Sequence, residues 1–574
     1  MPEIKQFPKD MSTFEIDRSD AKRCLVSGLF EESVEIDGTP RRFYTYIREG
    51  LLYNSPCLVI APDDAKAVEE YIDSSFWLEF AEKNNVFLHF LVPENGGWKM
   101  DGQDADYMNK VYVRIQARQA YVTMQDNIYA MGIGRGSVIA QQAVMKMSSE
   151  WSGLATFGEL NEKALLNAEA VHGEEATGKT ELSISSDKVQ VPVWMAWGSR
   201  TGENLKTAEY WKKQNDSCGE IFSCRWADEI WFPSTVSKKS QLNEEKISQV
   251  RVTNGFSGEP SREFVQAVWD YLGKACRHRG FGHKMLRNRI DPADYGFTYH
   301  TMEHDGFTRC WYEYVPENSK EQACGVPLVV CMHGRGGTAE SFLSLSDMSR
   351  VAEERGFILV FPEAGVYQQR PGGVRNILLW NGSYKGKDVD DVGFVLRMIG
   401  DVKSRYEIDA SRIYACGQSS GGMMTSALAL RAPEIFAAVS PWSAIVDPER
   451  ELCLPDKIDP AVPYMFLFGD KDWLCVDREN GEMEYHVAHD IAAFLKNLIR
   501  VYGLEEEPHR YNCGEVSYYI YNNAKGVPML TVGCVKGMTH ANYPGESWIA
   551  YDTFLSRFSK EKDGTLLYMG KPAI

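Results

Sequence analysis

The chain has 574 residues, 44% of them hydrophobic and 25% charged, ordinary globular values that supply apolar material for more than one core. A formal net charge of −18 argues against nucleic acid or an anionic membrane as partner, because both reward clustered Lys and Arg. The opening MPEIKQFPKDMSTFEIDRSD has no apolar signal-peptide core, no long apolar run occurs, and the 13 cysteines form no C-x-x-C pair, so free thiols in a reducing, cytoplasmic compartment are expected.

In chain order, PCLVIAPDDA at 56–65 reads as a buried strand and FAEKNNVFLHFLVPE at 80–94 as a helix leading to another. DADYM at 104–108 precedes IYAMGIGRG at 128–136, a strand that runs into a glycine-rich turn, and VPVWMAWGS at 191–199 is a further apolar strand. The same plan then returns. PLVVCMHGRG at 327–336 and VAEERGFILVFPEAG at 351–365 repeat the first two segments at an offset of 271. VDDVG at 389–393 and IYACGQSSG at 413–421 repeat the next two at 285, and VPYMFLFGD at 462–470 repeats the last at 271. Short apolar strands alternating with helical stretches indicate βαβ units. The expected fold class is therefore α/β, as two tandem domains (1–290 and 291–574) with mainly parallel, doubly wound sheets. The basic stretch RHRGFGHKMLRNR at 277–289 falls at their joint.

The second copy carries the chemistry. LVVCMHGRGGTAESF places His333, Gly334, Arg335, Gly336 and Gly337 after a strand, where glycines let backbone approach a tetrahedral intermediate closely. The Arg335 amide is the expected oxyanion donor from this loop, with the Ser420 amide as the second; the Arg335 guanidinium reads as solvated in preference to binding a substrate carboxylate. The two offsets differ by 14 residues, and that extra length falls in GVYQQRPGGVRNILLWNGSYKGK. It is expected to wall the substrate pocket through Tyr367, Trp380 and Tyr384. IYACGQSSGG at 413–422 then ends a strand-like run in Gly417-Gln418-Ser419-Ser420-Gly421 and leads into helix-like MMTSALALRA. A serine at the tip of such a turn needs small neighbours, and the following helix points its N-terminal N–H groups at the same spot. Ser419 is the expected nucleophile.

An orienting acid should follow, then a base. MFLFGDKDWLCVD offers Asp470, Asp472 and Asp477; Asp472 is preferred because a turn must precede a side chain that points back, Asp470 suits that turn, and Asp477 is the reserve. Of His486, His489, His509 and His540, the first two share a helix face and the third lies in a polar loop. His540, in GCVKGMTHANYPGESW between a strand and the last helix, is the expected base. The first copy has Gly134 at the serine position, then Arg135, with Pro62-Asp63 opposite His333-Gly334 and Thr201 opposite Asp472. It is expected to be non-catalytic, with a structural, dimerising or substrate-shaping role, the dimerising one implying a homo-oligomer formed through it. The counter-reading is anion capture by Arg135.

MHGRGGTAESF, the run DDVGFVLRMIGDVKSRYEIDASRIYACGQSSGGMMTSALAL, the Gly-x-x-Asp at 469–472 and GMTHANYPG together resemble the polyhydroxybutyrate depolymerase and feruloyl esterase group of α/β hydrolases, over about residues 305–560. The resemblance implies an α/β-hydrolase fold for the second domain, Asp390 and Asp391 as helix caps or structural hydrogen bonders, and Trp380 near the active site; the repeat makes the first domain a degenerate copy of that plan, a doubling unusual for the family, and His333 and Gly334 join the expected substrate-binding set. It implies a serine carboxylic ester hydrolase with neither cofactor nor metal. Members that act on insoluble polymer are typically secreted with extra modules, which this chain does not display. A soluble ester, hydroxycinnamoyl or short-chain acyl, is therefore the expected small-molecule or oligomeric partner. Alternatives are a polyhydroxyalkanoate oligomer depolymerase, a serine peptidase or amidase on the same fold, and a non-catalytic binding protein.

Overall fold

A computed structural model describes residues 2–9, 14–94, 97–116, 127–173, 183–234, 246–279, 284–321, 325–368, 376–382, 389–444, 458–472, 489–543 and 545–574. Its two large sheets each carry a hairpin near the start. Gly28–Ile36 pairs antiparallel with Thr39–Ile47, and Thr298–His304 with Phe307–Tyr314. The turns are Asp37-Gly38 and Asp305-Gly306, with φ of 49°, 76°, 51° and 80°. A two-residue hairpin loop demands that left-handed backbone, and Asp-Gly tolerates it.

Inward from the hairpins the strands turn parallel and are buried on both faces, which is why they read as unbroken apolar runs. In the first sheet the order from the hairpin is Thr39–Ile47, Phe87–Leu91, Cys57–Ala61, Ile128–Ile133, Gly153–Phe157, Val193–Ala196, Val250–Thr253, then antiparallel Glu229–Pro233 and Ser217–Phe222. In the second it is Phe307–Tyr314, Ile358–Pro362, Val326–Met332, Ile408–Gln418, Ala438–Trp442, Tyr464–Gly469, Pro528–Val535, then antiparallel Val516–Asn522 and His509–Cys513. The two orders correspond strand for strand, and the first sheet adds one edge strand, Ile4–Gln6. Register agrees as well. Cys57 lies beside Phe87 and Ile128, while Leu328 lies beside Ile358 and Ile413, which reproduces the offsets of 271 and 285. Helices cover both faces of the first sheet: Val111, Ile139 and Val144 pack on one, Trp77, Val265 and Leu272 on the other.

One expected correspondence shifts. The sequence sets Asp106 against Asp391, but the structural counterpart of Asp391 is Asp104. Arg41 Nη2 meets Asp104 Oδ1 at 3.0 Å and Arg309 bonds Asp391, and the two guanidiniums stand over Tyr107 and Phe394 at 4.2 and 4.3 Å. A buried carboxylate requires its cation, so the buried arginine selects the register of the helix. Asp106 is a surface residue paired with Lys146.

The basic joint is an antiparallel ribbon of Ala275–Arg279 and Lys284–Asn288 in which Arg277, Lys284 and Arg287 are buried. Arg277 donates to Trp151 O at 2.5 Å and to Gln190 O at 2.6 Å, and Lys284 pairs with Glu150. Arg287 reaches the other way, to Ser344 O at 3.2 Å and Leu345 O at 2.6 Å. These charges bind backbone carbonyls and two buried carboxylates, Glu150 beside Lys284 and Asp347 at 3.7 Å from Arg287, which explains a basic run in an acidic chain.

Candidate active site

Ile408–Gln418 lies centrally in the second sheet, between Val326–Met332 and Ala438–Trp442. The chain leaves it at Ser419 with φ 56° and ψ −117°, and the helix Ser420–Arg431 begins at once. Two glycines make this turn possible. A Cβ on Gly417 would stand 2.7 Å from Met332 O, and one on Gly421 2.3 Å from the same oxygen, so no side chain fits at either place. Ser419 N–H donates to Trp442 O at 2.8 Å, which fixes the serine at the C-terminal edge of the sheet.

Asp472 and His540 come from two loops that hold each other. A Cβ on Gly469 would lie 1.9 Å from Met538 O, Lys471 N–H donates to that oxygen at 2.9 Å, and Asp470 Oδ1 accepts from Gly537 N at 2.7 Å. Asp470 is thus the turn residue expected. Ser443, at the end of the strand beside the elbow, donates to Ala541 O at 3.0 Å. Glu546 accepts from Tyr543 N at 3.1 Å and from Asn542, pinning the far side of the histidine loop, and burial pushes its carboxyl up to about 8. Neither Ser443 nor Glu546 was singled out from the sequence; a polar residue beside an apolar strand or in a helix's first turn is too common to stand out.

The result is a continuous chain of contacts. His540 Nδ1 lies 2.9 Å from Asp472 Oδ2 and 3.1 Å from Oδ1, and His540 Nε2 lies 3.0 Å from Ser419 Oγ. Asp472 is fully buried and the imidazole is 12% exposed. With the Nδ1 proton donated to the carboxylate, Nε2 presents its lone pair to the serine hydroxyl. Asp477 and His486 lie outside the described residues. His489 opens the helix His489–Tyr502, and its side chain lies outside them too. His509 is exposed and pairs with Glu505 at 3.0 Å.

The loop at 333–337 rests on the elbow: a Cβ on Gly334 would fall 2.3 Å from Gln418 Oε1. Gly336 N–H donates to Leu378 O at 2.8 Å and Gly337 N–H to Gly334 O at 3.1 Å, so both are engaged. Ser420 opens its helix, where an N–H has no intrahelical acceptor. Two expected substrate contacts are corrected. The His333 side chain is 1% exposed; Nδ1 meets Gly334 O at 2.8 Å, and Nε2 accepts from Ala364 N at 3.0 Å. Trp380 is buried and donates its indole N–H to His333 O at 2.8 Å. Both support the loop from behind, because their polar atoms are engaged by backbone. Asp390 caps the helix Asp391–Arg405, accepting from Gly393 N at 2.9 Å, and Asp391 accepts from Gly365 N and Asn381 N at 3.0 and 2.6 Å. Tyr367 lies in the short strand Val366–Gln368 with its side chain outside the described residues, as is Tyr384 altogether.

The matching place in the first sheet keeps the turn. Ile128–Ile133 runs into Gly134, φ 54°, and the helix Gly136–Lys146. A Cβ on Gly132 would lie 2.5 Å from Gly136 O and one on Gly136 2.0 Å from Ala61 O. At Gly134 a Cβ would fall 1.9 Å from Asp63 Oδ2, so a carboxylate occupies the space of the missing serine side chain. Arg135 pairs with Asp64 at 2.9 Å and donates to Trp98 O at 2.9 Å, so its guanidinium braces this half's own loops. Thr201 caps the helix Gly202–Gln214, accepting from Asn204 N at 3.2 Å. The connection at 254–261, NGFSGEPS, contains no histidine.

The second sheet and its elbow define an α/β-hydrolase-like unit, and residues 307–454 match the family model for esterase PHB depolymerase. Feruloyl esterase B of Neurospora crassa is 35% identical over 134 residues, 23% of this chain and 43% of its own length. Acetylxylan esterase A of Emericella nidulans is 33% identical over 157 residues (27% and 48%), and feruloyl esterase B of Piromyces equi 27% over 241 (41% and 42%). The chain therefore spans less than half the length of these curated relatives. Among solved structures, an acetyl xylan esterase from Aspergillus awamori covers 45% of this chain and 99% of that one at 18% identity and a TM-score of 0.33. An S-formylglutathione hydrolase from Agrobacterium tumefaciens covers 45% and 94% at 15% identity and a TM-score of 0.32. Among the described residues no group of three or more His, Cys, Asp and Glu could hold a metal ion, and no helix is long and apolar enough to cross a membrane.

Proposed function

We propose that this protein is a serine carboxylic ester hydrolase, with residues 291–574 as the catalytic domain and 1–290 as a non-catalytic α/β domain of the same plan. The observation that carries the reading is the contact chain Asp472–His540–Ser419 on an elbow, with Nε2 at 3.0 Å from Oγ. His540 takes the serine proton as Oγ attacks the ester carbonyl, and Asp472 holds the imidazolium that forms. The N–H groups of Arg335 and Ser420 receive the oxyanion. Collapse expels the alcohol, protonated by His540, and leaves an acyl-enzyme; water activated by the same imidazole then releases the acid. The names of the relatives favour a feruloyl-type or acetylated-sugar ester. The match over 307–454 to esterase PHB depolymerase supports a second reading, hydroxyalkanoate oligomers. The ten described cysteines are free thiols, which favours a reducing, cytoplasmic compartment.

The experiment is turnover of acetyl, butyryl, feruloyl and hydroxybutyryl esters beside a matched amide. Preference for feruloyl or acetyl esters is expected. Turnover of the amide alone would overturn the esterase reading, and preference for hydroxybutyryl oligomers would select the second one.

A further inference from the structure

The N-terminal half reaches into the loop proposed to hold the oxyanion. Asn54 Nδ2 donates to Gly336 O at 3.2 Å in a buried contact, while Gly336 N–H is tied to Leu378 O within the C-terminal half. The two sides of one loop residue are thus held by different halves. Asn54 is itself fixed, with φ 60° and its carbonyl accepting from Asn127 Nδ2 at 3.4 Å. Beside it, Tyr53 N–H donates to Lys22 O at 2.8 Å, which brings the buried Lys22 alongside. Lys22 Nζ faces Glu363 Oε2 at 3.7 Å, and Glu363 accepts at 3.1 and 3.2 Å from Ala339 N, the first residue of the helix Ala339–Ser346 that follows the loop. Burial pushes the Glu363 carboxyl up, but Lys22 and its hydrogen bonds hold it below its ordinary value, so the pair stays ionised. Arg287 grips the other end of that helix through Ser344 O and Leu345 O.

An oxyanion donor works only when it stands at hydrogen-bond distance from the place where charge develops. Three glycines in the five-residue loop give it little conformational preference of its own, so its shape must be imposed by what it touches. We propose that Lys22, Asn54 and Arg287 are positioning residues for the oxyanion hole, so that the non-catalytic half sets the turnover of the catalytic one. The inference rests on the serine-esterase reading above.

The test uses the full-length protein. Asn54→Gly keeps the left-handed backbone and removes only the amide, whereas Asn54→Asp keeps the shape and sets a carboxylate oxygen against the Gly336 carbonyl. With p-nitrophenyl acetate, kcat should fall about tenfold in Asn54→Gly and further in Asn54→Asp, with KM within about twofold and fluorophosphonate labelling of Ser419 slowed in proportion. Lys22→Met should act the same way and Lys22→Arg restore most of kcat; if either Asn54 variant fails to fold, Asn54→Ser takes its place. A contact that only holds the fold together would lower Tm and leave kcat per folded molecule unchanged. Wild-type kcat and labelling in the folded Asn54 variants, with Ser419→Ala inactive, overturns the positioning role and leaves the esterase reading standing. Activity in Ser419→Ala would overturn that reading itself.

Discussion

The elbow at 417–421 and the elbow at 132–136 share a strand, a left-handed residue, a helix and two glycines that no side chain could replace. They differ in what surrounds the tip. Around Ser419 the loops deliver an imidazole and a buried carboxylate; around Gly134 a loop delivers Asp63 into the space of the side chain itself. The elbow is therefore a backbone property that persists without the serine, and what distinguishes the two copies is what the neighbouring loops deliver to its tip.

The sharpest way to break this comparison is Ser419→Ala, expected to lower kcat by about 10⁴-fold or more and to abolish fluorophosphonate labelling with Tm little changed. Labelling of the wild-type chain should give one adduct by intact mass; two adducts would mean that the N-terminal half is reactive after all. Asp472→Asn comes next, at about 10²–10⁴ in turnover, because the imidazole loses its orienting charge. A loss under tenfold would transfer that role away from Asp472, with Asp477→Asn the comparison to run.

Gly134→Ser tests the other side. It should gain no labelling and should destabilise the protein by about 1–3 kcal/mol, since its Cβ meets the Asp63 carboxylate; denaturant melts and mass spectrometry read both. The smallest effect on turnover is expected for Glu546→Gln, whose Asn542 partner can flip its amide. The Glu546 carboxyl titrates near 4.5 when unfolded and about 8 when folded. Between those values the folded state holds the extra proton, so the stability this group contributes below pH 4.5 is lost as pH rises through 8. Tm of Glu546→Gln should fall less than that of wild type across this window, and parallel curves would show that Glu546 is ionised in the folded protein.

What the sequence revealed was whatever is local. The elbow is five consecutive residues, and Ser419, Asp472 and His540 each follow a strand in chain order, so local motif and order nominate residues that the structure brings within hydrogen-bond reach. The repeat was legible because buried strands permit few substitutions. Its register at 104–108 was misread by two residues, since the deciding partner, Arg41, comes from a distant strand. His333 and Trp380 look like substrate contacts when only proximity is known; their hydrogen bonds to backbone appear only in three dimensions. The two Asp-Gly hairpin turns are local signals of the same kind as the elbow.

The backbone of Ser419 has a further consequence. An L residue at φ 56° and ψ −117° sits in a sparsely populated region that costs on the order of 1–3 kcal/mol, a strain that glycine feels far less. The first half carries glycine at the matching place, whereas the second keeps the strained serine beside His540 and Asp472. On the serine-esterase reading, stability and turnover pull in opposite directions at this single position, and the two halves of one chain stand on either side of the trade-off.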